Sequence, residues 1–231
     1  MFQNYPKIAA IIPAFNEEKT INQVVKAVKQ VELINQIIVV DDGSIDRTAK
    51  IARQAGAEVI SLPQNQGKGQ AMQKGVNYSQ AEIIVFIDAD LINLSSEHIH
   101  LVLRPILDRH CQMTTGTLER GQFLNKINRW LEAPFSGLRV VERSLWDLVP
   151  LRFKKNYLVE SAIHWTAKWA RLKNKNFILY GLEHIRKTQK KGFWEGSWAF
   201  LKMWSSIIIQ FPVLFCFQLR RNFNWRGTKA A

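Results

Sequence analysis

Four short apolar runs in the first ninety residues each end in a polar cluster, and this recurrence limits the fold more than any other feature. KIAAII (7–12), QIIVV (36–40), AEVIS (57–61) and EIIVFI (82–87) are rich in β-branched residues and nearly uninterrupted. Runs of that kind suit strands buried on both faces, as in a parallel sheet. Helical segments separate them. Residues 17–30 set Ile21, Val24, Val25 and Val28 on one stripe, 46–55 stops at Gly56, and 69–78 follows the loop QNQGKG. The order β-α-β-α-β-α-β predicts an α/β fold, a Rossmann-like sheet with right-handed crossovers.

Ligands of such sheets bind beyond the carboxyl ends of the strands. PAFNEE, DDGSID, NQGKG and DAD fall at those four ends and predict one shared rim. In the last cluster, an extended backbone would turn Asp88 and Asp90 to one face, about 7 Å apart. Paired like charges call for a cation between them, and hard carboxylate oxygens select Mg2+ or Mn2+ bridging to a diphosphate. Taken alone the pair is more often a turn or cap; three neighbouring polar strand ends favour the metal. Asp41 and Asp42 need donors, which a nucleobase N–H or a ribose hydroxyl would supply. Gly43, Ser44 and Asp46 read equally well as a turn and helix start. Pro13 is expected to stop the first ladder, and Phe15 offers an aromatic face to a base. Glu17 suits a ribose or a first helical turn. Lys68 brings a cation to a loop that is as readily a plain surface turn.

Beyond Leu94 the pattern becomes mostly helical, with candidates at 98–108, 123–131 and 156–172, and NFILYGLEH (176–184) reads as a further strand. Charge is uneven. Residues 1–100 carry 9 Lys/Arg against 11 Asp/Glu, a net −2, and residues 101–231 carry 23 against 8, a net +15. The basic half therefore suits a large anion, either nucleic acid or an anionic membrane surface. Cys111 and Cys216 stand far apart and form no C-x-x-C pair, so neither a zinc site nor a disulfide framework is indicated, and a reducing compartment is the plain reading. MFQNYPK leads straight into a strand and reads as no secretory signal. The segment 198–219 is strongly apolar, but its longest uncharged part, Met203 to Leu219, would reach only about 25 Å as a helix. Basic residues flank it on both sides, so it is expected to lie in the membrane interface on the cytoplasmic face or to pack as a core helix.

IIPAFNEE, VVDDGSIDRT, NQGKG and FIDADL resemble, in order and spacing, the nucleotide-binding half of family 2 glycosyltransferases with the GT-A fold, over roughly residues 6–95. The resemblance implies an enzyme that uses a nucleotide-diphospho-sugar, UDP- or GDP-linked, and a divalent metal. It implies that Pro13, Phe15, Glu17, Val40 and Asp42 line the nucleoside site. Asp88 and Asp90 would hold metal and diphosphate, with Lys68, Ala89 and Arg120 beside the donor. SGLRVVERSLWDLVP (136–150) is similar to the family's acceptor-side SG-x-R segment. LVESAIHWTAKWA and GLEHIRKTQKKG are similar to the helix and basic stretch of polyprenyl-phosphate sugar transferases. Two departures stand out: Ile92 where dolichyl-phosphate mannosyltransferases usually carry Gln, and Gly116-Thr117-Leu118 in place of Gly-Ser-Arg.

Arg139 and His184 join Asp88 and Asp90 as candidate catalytic residues. His184 would serve through the metal or a phosphate, and Arg120, Arg139 and Arg186 are candidate phosphate ligands. Glu160 suits the sugar or a pair with Arg139. No Glu-Asp base pair and no Q-x-x-R-W motif appears in the second half. An ionised lipid phosphate would attack without a base, so the expected acceptor is a lipid phosphate at the cytoplasmic membrane face. The alternative is a small soluble or phosphorylated acceptor, as in glucosyl-phosphoglycerate synthases. A dehalogenase-type phosphatase is disfavoured, since its D-x-D follows the first strand. A non-enzymatic basic module is the remaining reading, and nucleic acid is not an expected partner. The expected organisation is a GT-A domain over 1–190, divided at 95 into donor and acceptor halves, then a membrane-associating segment over 191–231.

Overall fold

A computed structural model describes residues 6–119, 136–154 and 158–184. All of them lie in the first of two units, Met1–Ile185 and Arg186–Ala231. Arg120, Arg186, the expected helix at 123–131 and the segment 191–231 lie outside the described residues.

The four apolar runs form β1 (Ile8–Ala14), β2 (Gln36–Asp41), β3 (Glu58–Ser61) and β4 (Ile83–Ile87). Between them stand α1 (Ile21–Lys29), α2 (Thr48–Ala55) and α3 (Lys68–Tyr78). Helix α1 begins with the apolar stripe at Ile21, four residues later than the expected start at 17, because the Glu17 carbonyl accepts from the Thr20 and Ile21 amides in a preceding turn. Pro13 does not stop the ladder outright. Pairing with β4 ends at Ile11–Phe86, while pairing with β2 continues through Pro13–Val40 to Ala14–Asp41. Proline has no N–H to donate, yet its carbonyl still serves one neighbour.

The region beyond Leu94 holds more sheet than its sequence suggests. After β5 (Leu91–Ile92) and α4 (Ser96–Leu107) come β6 (Met113–Leu118), β7 (Leu138–Glu142), α5 (Arg143–Leu148), α6 (Leu158–Trp169), β8 (Asn174–Leu179) and β9 (Glu183–His184). The expected strand at 176–184 is two strands in different sheets, parted by a turn at Gly181. The main sheet has seven strands in the order β3-β2-β1-β4-β7-β6-β8. Only β7 runs against the rest, antiparallel to both β4 and β6. The second sheet pairs β5 with β9.

Alternation along each strand splits the core into two layers. Ile8, Ala10, Ile12, Val39, Val85, Ile87 and Val140 pack with α1 and α4. On the other face, Ile11 and Val40 approach Gly75 of α3, and the Phe86 ring lies 5.0 Å from Trp146 of α5. No helix among the described residues is long and apolar enough to cross a membrane.

Candidate active site

The rim at the ends of β1 and β2 is held together by polar contacts between its own loops. The Asn16 amide donates to Ser44 Oγ (2.9 Å), the Ile45 amide to Asn16 Oδ1 (3.0 Å) and the Glu17 amide to Thr48 Oγ1 (2.8 Å). Asp46 Oδ1 accepts from the Thr48 amide (2.9 Å) and hydroxyl (2.5 Å). Burial works against the Asp46 carboxylate, but these bonds outweigh it and hold its pKa below the ordinary value.

The adjacent acids find their donors inside the chain. Asp42, 3% exposed, accepts from the Gln66 amide (2.7 Å) on one oxygen and the Gly67 amide (2.8 Å) on the other. Asp41 accepts from the Ser44 amide (3.2 Å). Asp42 thus fastens the loop that leads into α3 and Lys68. Val40 is fully buried, with its side chain against α3. Phe15 remains 42% exposed, an open ring at the end of β1.

Beyond β4 the backbone does not stay extended. Ala89 and Asp90 form a turn before β5, so the two-residue repeat of a strand does not govern Asp88 and Asp90. Both carboxylates are half-buried, and Ala89 is buried. Asp88 has a cation supplied by the protein. Lys68 Nζ lies 2.5 Å from Asp88 Oδ1 and 2.6 Å from Glu160 Oε1. Burial alone would lower the Lys68 pKa, but the two carboxylates more than offset it, and the ammonium is raised above its usual range.

Arg139, 2% exposed, donates from Nη1 to the Glu160 carbonyl (2.7 Å). Burial depresses its pKa, against the opposing pull of Glu160 and then Asp88. The hydroxyl of Ser136 ties the start of β7 to the Gly116 carbonyl of β6. Lys68, Asp88, Arg139, Glu160, Ser136 and Pro13 line one small cleft, part of it open to solvent.

The structure therefore gathers Pro13, Lys68, Asp88, Arg139 and Glu160 from the expected residues, and adds Ser136. For His184 the backbone register is informative: β9 sets it opposite Leu91, the residue after Asp90. No group of three or more His, Cys, Asp or Glu suited to a metal ion occurs among the described residues.

The family model for glycosyl transferase family 2 matches residues 9–178, and the chain belongs to that family. A 4,4'-diaponeurosporenoate glycosyltransferase of Staphylococcus haemolyticus is 40% identical over 97 residues, covering 39% of this chain and 26% of the relative. A glucosyl-3-phosphoglycerate synthase of Mycolicibacterium smegmatis is 34% identical over 109 residues, covering 43% of this chain and 36% of the relative. The chain thus spans about a quarter to a third of these curated relatives. Among solved structures, glucosyl-3-phosphoglycerate synthase from Mycobacterium tuberculosis with Mn2+, UDP-glucose and phosphoglyceric acid superposes with a TM-score of 0.67 at 29% identity, covering 78% of this chain and 72% of that one. The same enzyme with Mg2+ and UDP gives a TM-score of 0.67 at 28% identity, with the same coverage of each chain.

Proposed function

We propose that this protein transfers a sugar from a nucleotide-diphospho-sugar, with Mn2+ or Mg2+, to a small anionic acceptor of the phosphoglycerate type. One observation carries the reading: Lys68, Asp88, Arg139 and Glu160 converge on one cleft beyond the carboxyl end of β4, although Lys68 and Glu160 are 92 positions apart. The solved relatives with Mn2+ or Mg2+ and UDP support the donor and metal. The phosphoglyceric acid in one of them supports this acceptor class over the lipid phosphate expected from the sequence.

The residues present suit a hard divalent ion. Since Lys68 already neutralises Asp88, the metal falls to Asp90, with His184 as the register neighbour on β9. When bound, such an ion offsets the charge that develops on the departing diphosphate. Phe15 offers its open ring to the base. Lys68, steadied between two carboxylates, holds a fixed charge at the cleft wall, and Arg139 attracts an anionic acceptor.

The test is product formation from UDP-glucose or GDP-mannose and 3-phosphoglycerate, with Mn2+ or with EDTA. Asp90→Ala is expected to lower kcat/KM by at least about 100-fold, the scale of losing one transition-state charge contact. Turnover that ignores EDTA, or an unimpaired Asp90→Ala, removes the metal role.

A second reading keeps a lipid phosphate at the cytoplasmic membrane face, with 191–231 as the associating segment after a catalytic domain over 1–190. It is favoured by the end of α6, where Trp165 and Trp169 stack at 5.7 Å and the Lys168, Arg171, Lys173 and Lys175 side chains are exposed. Failure of the full chain to sediment with anionic vesicles at low salt would sink it.

A further inference from the structure

The layer between the sheet and helices α5 and α6 carries more polar groups than its own contacts satisfy. Thr115 stands opposite Arg139 in the β6–β7 register, and Arg139 stands opposite Phe86 in the β4–β7 register. Residues paired this way share a face, and Phe86 packs on Trp146 of α5, so all three point into this layer. Thr114 points the other way, donating to the Val102 carbonyl of α4 (2.6 Å).

Four buried side-chain atoms in the layer have no hydrogen-bond partner: Thr115 Oγ1, Trp146 Nε1, Ser161 Oγ and His164 Nδ1. Elsewhere among the described residues the only such atom is Gln73 Oε1. Thr115 and Trp146 are 0% exposed and Ser161 is 4% exposed. A buried polar atom with no partner loses its water without recompense, and native cores hold few of them. Four such atoms in the layer that also holds the buried Arg139 point to an occupant.

The layer also adjoins the cleft. Arg139 and Phe86 both line the cleft. Ser161 follows Glu160, whose carbonyl accepts from Arg139, and His164 lies one turn further along α6.

We propose that Thr115, Arg139, Trp146, Ser161 and His164 form an inner subsite of the cleft that takes the anionic end, phosphate or carboxylate, of the sugar acceptor. The donor inventory sets the ligand class. An indole N–H and a guanidinium only donate, and the two hydroxyls have protons to give, so the set suits an occupant rich in acceptor oxygens. The inference rests on the glycosyl-transfer reading and specifies its acceptor. A soluble phosphate ester and a lipid phosphate present the same chemistry.

Thr115→Val and Ser161→Ala test it, because each removes one polar atom at nearly constant shape. Each is expected to raise the acceptor KM about tenfold while leaving the melting temperature unchanged or higher, since the atom removed had no partner in the free protein. Inorganic phosphate supplies a readout that needs no turnover: it should raise the melting temperature of the unmodified chain and raise that of the variants less. Parallel assays with 3-phosphoglycerate and with a polyprenyl phosphate in detergent decide the source, and a variant effect in either supports the subsite. Acceptor KM and phosphate response like the unmodified chain in both variants would overturn it and leave buried water as the occupant. The donor Kd, read from a Mn2+-dependent thermal shift with UDP-glucose, separates the two proposals. If the unmodified chain shows no donor binding, the glycosyl-transfer reading fails instead.

Discussion

Removing the Lys68 ammonium would leave Asp88 and Glu160 facing each other with side chains only 24% and 10% exposed. Breaking a largely buried ion pair by deleting one partner costs several kcal/mol, because the surviving charges stay desolvated. Lys68→Met is therefore expected to lose roughly 3 kcal/mol in urea unfolding, together with most donor affinity. The folded pKa of Lys68 lies above its ordinary 10.5, so its contribution is complete below that pH and fades only as pH rises past it. His164 behaves in the opposite sense. Burial first, then Arg139 and Lys168, push its pKa down from 6.5 to about 4. Its neutral form stabilises the fold fully above pH 6.5, and as pH falls towards 4 the unfolded chain takes up the proton first. A loss of up to about 3 kcal/mol across that window follows, and His164→Gln should flatten the stability profile there. At this scale the sequence was legible where motifs fall at strand ends, as at Asp88, Lys68 and Arg139, which line one cleft. For Glu160 it offered the sugar or Arg139 and missed Lys68, which the carboxylate meets at 2.6 Å, since nothing local ties residue 160 to residue 68. Asp41 and Asp42 were rightly seen to need donors, but those donors are backbone amides, which no residue letter records.

Helix α3 shows how an element sets a residue's position. A Cβ at Gly75 would lie 2.5 Å from Ile11 Cγ2 and 3.2 Å from Val40 Cγ2, so the helix touches β1 and β2 more closely than any side chain allows. Gly75→Ala is expected to cost about 1–3 kcal/mol as an overpacked contact. Because Lys68 is the first residue of the same helix, donor affinity should fall with it, as titration by thermal shift would show. Elements were legible where burial on both faces makes a strand continuously apolar, as in β1, β2 and β4. They were hidden where a strand has other work. MTTGTL (β6) is two-thirds threonine and glycine, because one face seats Thr114 on a helix carbonyl and the other points Thr115 into a polar layer. Helix α5 begins at Arg143, whose guanidinium donates to the carbonyls of Val76, Ser79 and Ala81, joining the two halves by a link no periodicity reveals.

Across the whole molecule, a ligand that binds only the folded state stabilises all of it. Donor and Mn2+ at 100 times Kd should add about 2.7 kcal/mol, measured by calorimetry, and EDTA should cancel the gain. The acidic first half and basic second half meet at the cleft, where Asp88 and Lys68 from one face Glu160 and Arg139 from the other. The lone reversed strand has a consequence for biosynthesis. β4, with every residue buried, is complete at Ile87, yet the neighbour that covers its free side, β7, begins only at Leu138. A ribosome emitting this chain exposes a sticky hydrophobic margin until some fifty more residues have emerged, so nascent chains stalled in that interval should aggregate or recruit chaperones, whereas chains stalled after Glu142 should not.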